Sequence, residues 1–439
     1  RDPVAERLAP MTSAPLLTCP EQLAAVMARI YGEGLTTASG GNLSLLDRDG
    51  ALWVTPSQVD KGTLGPEHMV RMAPDGSWSS ATAGCKPTSE WPFHRAILQA
   101  RPDCRAVAHA HPASLVAFSL AGQPLPLLHF PDLCRWVSQV ASAPYATPGS
   151  SALGETLRPV FARGCDAALL DNHGVVTCGR DLPEAFHRLD VLEHLAGILL
   201  AGARLGALRP LDQACMREAQ SRMEVGWEAM AVDVESQLAL RTDLAEHIRR
   251  AHGRGLVGGR VGAFSCRCDR GFLVAPERGD NATLGPADLV YVAADRPSAA
   301  QAGKTPDAMA SLHLALYQAC AHVQAIATAL PRHLMAFAAT GTPFDARTIP
   351  EAYLLLKAVP TLPFPARFQG AWVAESLQKS PVALVENACV VVTGSSPFAV
   401  LDRLEVAELT ARSLVDARAL GRLSLLPDQV LDEITRTYG

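Results

Sequence analysis

Several common features are missing from this chain. No stretch approaches 18 uninterrupted apolar residues, so nothing in it is expected to span a membrane. The formal net charge is −5 and no run of lysine and arginine occurs, which removes the electrostatic footprint of a nucleic-acid binder. Lysine is confined to positions 61, 86, 304, 357 and 379, so there is little material for Schiff-base catalysis. The eleven cysteines include no Cys-x-x-Cys pair, and Cys266 and Cys268 have no zinc-knuckle spacing. Scattered, unpaired thiols in odd number fit a reducing cytoplasm. No charged-then-apolar leader pattern opens the chain, and Met11 is a candidate native start with residues 1–10 an extension.

What is present is length, apolar content and a long internal repeat. A chain of 439 residues, 48% hydrophobic, is too large for one core and predicts two or three domains. The second half copies the first. Thr63-Leu-Gly-Pro returns as Thr283-Leu-Gly-Pro, Phe93-His-Arg-Ala-Ile-Leu-Gln as Leu312-His-Leu-Ala-Leu-Tyr-Gln, and Leu170-Asp-Asn-His-Gly-Val-Val as Val385-Glu-Asn-Ala-Cys-Val-Val. A nearly constant offset of this length means two homologous domains, 11–215 and 236–439, and not a solenoid. Each copy alternates strand and helix patterns. Ala51-Leu-Trp-Val and Gly271-Phe-Leu-Val read as equivalent strands. The stretches from Leu182 and from Arg403 read as equivalent amphipathic helices. Across 209–240 a closing helix is expected to run into an opening one.

The chemistry concentrates in the first copy. Arg105-Ala-Val-Ala-His-Ala-His alternates as a half-buried strand does, so His109 and His111 share one face. Glu90 opens a helical stretch, and His173 follows an apolar strand just before Gly174. A buried histidine pair is either satisfied core filling or half of a metal site. Three neutral imidazoles and a carboxylate are a recognised ligand set for a divalent first-row ion such as Zn²⁺.

A series of motifs decides between these readings: Gly41-Asn42-Leu-Ser44, Thr55-Pro56-Ser57, Pro87-Thr88-Ser89-Glu90-Trp91-x-Phe93-His94, His109-x-His111, Ala143-Pro-Tyr-Ala-Thr and Asn172-His173-Gly174. In this order and spacing, over about residues 20–205, they resemble the class II aldolase/adducin family, most closely its L-fuculose-phosphate aldolase branch. The resemblance implies an α/β fold: two tandem three-layer α/β/α domains, each with a central mixed sheet. It implies a divalent metal on His109, His111 and His173, zinc first and manganese, iron or cobalt as alternatives. Glu90 is then a ligand or the base that takes the substrate proton. Asn42, Ser57, Gln58, Thr88 and Ser89 are the implied substrate contacts.

The repeat offers an internal test. Glu90 aligns with Met309, His109 with Thr328, His111 with Leu330 and His173 with Ala388, and Asn42 with Ala263. These replacements bind such cations poorly. Loss of all four together is what an abandoned metal site leaves, so the second copy is expected to be silent. His94 keeps its counterpart, His313, and reads as structural. Lys86 keeps Lys304, which argues against a catalytic lysine. Asp60 and Lys61 read as solvated, His187 and His194 as surface or packing residues, and Tyr145 as structural.

Two departures from the family pattern bear on the reaction. Gln58 stands where the family's turn has glycine. A side chain resists φ > 0 and projects into the pocket, so a non-phosphate polar group is a candidate neighbour there. Phe130 stands where the fuculose-phosphate branch carries a proton-donating tyrosine, and Tyr353 of the second copy is the available substitute. The expected function is a metal-dependent lyase that cleaves a C–C bond in a small hydroxy-carbonyl substrate, retro-aldol fashion, through a metal-stabilised enediolate. A decarboxylase, dehydratase or oxygenase on the same site, or a non-catalytic adducin-like interaction protein, are the alternatives. The family's fourfold rings imply a homo-oligomer, two tandem chains closing a pseudo-fourfold ring.

Overall fold

In a computed structural model of the chain, residues 17–127, 129–222, 226–296 and 298–438 are described. Met11, and with it residues 11–16 of the expected first domain, lies outside the described residues. The chain divides into two compact units. One holds the chain up to Pro124 with Gln139–Leu189, and the other holds Leu125–Ser138 with everything from Asp190 onward.

The first unit carries an eight-stranded mixed sheet. Its order is Trp78–Ser80, Val70–Met72, Leu52–Val54, Asn42–Leu46, Ala106–Ala110, Gly174–Gly179, Ala167–Leu170, Val140–Ala143. Only the last pair is parallel. The small, alternating residues of Ala106–Ala110 suit a central strand, and all five are buried. Val107 packs in one core cluster with Phe93, Ile97, Leu157 and Val176, so helices Trp91–Ala100 and Ser151–Ala162 cover that face. Residues one step away point to the other face, where Thr177 Oγ1 donates to the Ala185 carbonyl of helix Leu182–Leu205. His109 therefore faces helix Trp91–Ala100, and its ring meets Phe93 edge-on at 5.6 Å. The helix begins at Trp91, one residue after the expected start, with Glu90 as the cap residue. Pro92 sits in the first turn, where a missing N–H costs no helical hydrogen bond.

The second unit carries a nine-stranded mixed sheet. Its order is Thr361–Leu362, Val382–Val385, Cys389–Gly394, Ala325–Ala329, Ala263–Cys268, Gly271–Val274, Val290–Ala293, Ala299–Gln301, Glu228–Met230. The registers repeat: Asn42 pairs with His109 and Ala263 with Thr328. Asn172 and Asn387, before His173 and Ala388, both take φ 53°. The aligned positions are thus structural equivalents.

The junction differs from the expected helix-to-helix run. Helix Gln213–Arg222 is followed by strand Glu228–Met230, which adds a parallel edge to Ala299–Gln301, before helix Leu238–Gly253 begins. Among the described residues, no helix is long and apolar enough to cross a membrane.

Candidate metal centre

His109 is the penultimate residue of the central strand Ala106–Ala110, His111 lies just past its end, and His173 sits on the hairpin turn between Ala167–Leu170 and Gly174–Gly179. The register that places His109 opposite Val176 brings the turn beside both. Ring centroids lie 4.7 Å apart for His109–His111 and for His109–His173, and 5.4 Å apart for His111–His173. One ligand atom from each lies within 4.8 Å of the others. Gly174 makes the approach possible. A Cβ there would lie 2.6 Å from the Ala110 carbonyl and 2.7 Å from His111 Cδ2.

The donor chemistry fits a cation. His109 donates Nδ1–H to the Val175 carbonyl at 2.9 Å. That bond leaves Nε2 as the bare acceptor nitrogen, the arrangement metal-bound histidines use. His109 Nε2 and Glu90 Oε1 are buried with no hydrogen-bond partner among the described residues. Such orphans are rare in a folded interior. Glu90 Oε2 lies 3.4 Å from His109 Nε2, and Glu90 Oε1 lies 3.4 Å from His173 Nε2. Burial pushes His109 and His111 down to about 3, helped by the neighbouring imidazoles, and lowers His173 too. Neutral imidazole is the ligating form.

Behind the cluster runs a chain of side chains that the sequence reading missed as a unit. Asn42 Nδ2 donates to Glu90 Oε2 at 2.7 Å, and Asn42 Oδ1 accepts from His94 Nε2 at 2.5 Å. His94 Nδ1 then pairs with Ser44 Oγ at 2.8 Å. The expected substrate contact Asn42, 5% exposed, spends its amide on positioning Glu90. Period-2 spacing of Asn42 and Ser44 on one strand was the available signal. His94 is fully buried.

The other candidate contacts are gathered by a bridge between Pro56 and Pro87, which sets Ser57 and Gln58 beside Thr88 and Ser89. Thr88 is buried and its hydroxyl accepts from Glu90 N–H, while Ser89 and Gln58 are exposed. Gln58 does adopt φ 56°, so the turn keeps the left-handed shape that a side chain was expected to resist. Lys61 is the second correction. It is 2% exposed, gives Nζ–H to the Pro56 carbonyl at 2.9 Å, and is pushed by burial down to about 8. His187 and His194 are buried packing residues.

The second copy keeps the frame without the candidate ligands. His313 holds Ser265 Oγ at 2.7 Å, and Thr328 Oγ1, at the place of His109, takes its other nitrogen at 3.1 Å. Leu330 replaces His111, and Cys389 fills the Gly174 position.

The comparisons follow this geometry. Residues 21–200 and 242–415 each match the Class II Aldolase and Adducin N-terminal domain. The chain is 34% identical over 183 residues to the 3-oxo-tetronate 4-phosphate decarboxylase of Escherichia coli K12, which is 41% of this chain and 84% of that protein. It is 33% identical over 165 residues to the L-fuculose phosphate aldolase of the same strain, 37% of this chain and 74% of that protein. Among solved structures, YgbL from Escherichia coli shares 33% identity with a TM-score of 0.42, covering 45% of this chain and 96% of that one.

Proposed function

The chain belongs to the class II aldolase and adducin N-terminal domain family, and from that membership we propose that its first copy is a metal-dependent lyase cleaving a carbon–carbon bond of a small hydroxy-carbonyl substrate. The observation that carries this reading is the convergence of bare His109 Nε2 and Glu90 Oε1 with His111 and His173. These residues suit a divalent ion, zinc first and manganese, iron or cobalt as alternatives. Such an ion supplies Lewis-acid stabilisation of negative charge on a substrate oxygen. Glu90 takes the substrate proton at Oε1, since Oε2 is held by Asn42. The exclusion of water around Glu90, 7% exposed, keeps that proton from bulk solvent. Ser57, Gln58, Thr88 and Ser89 orient the substrate. The relatives' names point to phosphorylated substrates.

Loss of CO₂ is the second reading, and Phe130 favours it. Its ring, fully buried, has no proton to give. A departing CO₂ leaves no hydroxyl proton to move, whereas retro-aldol cleavage must take the proton of the hydroxyl that becomes the aldehyde oxygen, which a phenylalanine ring cannot do. We further propose that the chain works as a homo-oligomer, which light scattering tests. The deciding experiment supplies metal-loaded protein with sugar phosphates of hydroxy-carbonyl and 3-oxo-acid type. Aldehyde release supports retro-aldol cleavage, and CO₂ release supports decarboxylation. Protein that holds no metal after reconstitution and turns over neither class is a non-catalytic interaction module.

A further inference from the structure

Three of the four aligned positions of the second copy, Met309, Thr328 and Leu330, line a cavity of only about 20 Å³, together with Asp132 and Asp307. That is room for about one water. A cation nevertheless stands beside it. Arg367, 5% exposed, lies in the short helix Phe364–Phe368. Its Nη2 reaches Met309 Sδ at 3.6 Å, the position of Glu90 in the first copy. The guanidinium is held by Asp132: Nη2 donates to Oδ1 at 2.8 Å, and Nη1 lies 2.7 Å from Oδ2 as an ion pair outside hydrogen-bond geometry. It also lies 4.9 Å from the Phe368 ring centroid.

Two features make this more than a surface ion pair. The first is substitution. Leu362 and Ala143 are equivalent strand ends, and Gly370 and Ser151 are equivalent helix starts, so Arg367 stands where the first copy has Pro148. The copy that lost four ligands gained a buried cation at their edge. The second is the source of the carboxylate. Asp132 comes from Leu125–Ser138, a segment of the first repeat that belongs to the second compact unit. It opens the short helix Pro131–Cys134, next to the fully buried Phe130.

We propose that the vacated site of the second copy has become a carboxylate-binding site, with Arg367 as its fixed cation and Asp132 on Leu125–Ser138 as its resident ligand. A planar guanidinium recognises a carboxylate through two parallel N–H groups, with directionality that a lysine lacks. Burial makes each partner depend on the other, because a buried charge left alone is strongly disfavoured. The second copy thereby serves as the receptor that orders the Phe130 segment. This reading is independent of the metal in the first copy.

Removing the Asp132 side chain should leave a hole shaped for a small carboxylate. The test compares full-length wild type, Asp132→Ala and Asp132→Ala/Arg367→Met in sodium acetate and in sodium chloride at equal ionic strength. Acetate should raise the unfolding midpoint of Asp132→Ala by about 2–4 °C over chloride, and should do neither for the wild type nor for the double variant. Hydrogen exchange of amides 129–137 in the double variant, which removes both partners of the pair, should quicken at least about tenfold. Should Asp132→Ala fail to fold while the double variant folds, the dependence of Arg367 on its carboxylate is shown directly. Equal acetate shifts in all three proteins, or wild-type exchange of 129–137 in the double variant, overturns the proposal.

Discussion

His109 turns a bare Nε2 toward Glu90 and His173, and this fixes what single substitutions should do. His111→Ala removes one of three imidazoles from a part-exposed edge of the cluster. It should abolish metal retention and turnover while circular dichroism stays that of the wild type. Full metal occupancy in that variant removes His111 from the ligand set. Glu90→Gln keeps all three imidazoles and keeps an acceptor for Asn42, so metal should stay while kcat falls by about 10²–10⁴. Wild-type turnover in metal-loaded Glu90→Gln excludes Glu90 as the base. Lys61 gives a pH test. Its folded value near 8 lies below the ordinary 10.5, so between them the unfolded chain binds more protons and stability rises with pH. The cost of the buried ammonium is present below about pH 8 and gone above about 10.5. Wild type should therefore gain on Lys61→Met by up to about 3 kcal/mol between pH 7.5 and 10.5. A constant difference by denaturant titration places Lys61 in water. The candidate ligand residues stand out in sequence because few residue types do this chemistry. Lys61 does not, because a lysine's burial depends on a carbonyl that only the folded turn provides.

At the level of elements, the site rests on a strand end and a tight hairpin, both readable from alternation and from Asn-His-Gly. The hairpin works only because Gly174 has no side chain. A Cβ would sit 2.6 Å from the Ala110 carbonyl, which is backbone and cannot swing away. Gly174→Ala should therefore move the turn carrying His173 and weaken metal binding at least about tenfold, the scale of misplacing one ligand's support. Unchanged metal affinity by competition titration shows that the turn tolerates the group. The second copy fits this reasoning, since Cys389 occupies the glycine position where Leu330 has replaced the imidazole. What the sequence concealed was pairing between distant elements. Strand Glu228–Met230 is three residues long and exists through its bonds to Ala299–Gln301, which no local propensity announces. The Asn42–Glu90 bond likewise joins residues 48 apart.

At the level of the whole chain, the two copies share registers and backbone shapes but not the candidate ligands. The repeat was legible from offsets, and the loss of ligands from four aligned positions. The gain of Arg367 was not, because a single arginine opposite Pro148 has no pattern until its carboxylate is seen. If metal binding belonged to the family fold, the chain would take two equivalents. If it belongs to His109, His111 and His173 with Glu90, it takes one. The second copy offers Met309, Thr328, Leu330 and Ala388 in their place. Elemental analysis of the reconstituted chain, set against amino-acid quantitation, should give one equivalent of metal. His109→Ala/His111→Ala should bring this to zero, with the second copy intact in the same molecule. Two equivalents in the wild type, or one remaining in that variant, would place a metal in the second copy and undo the assignment of its site as vacated.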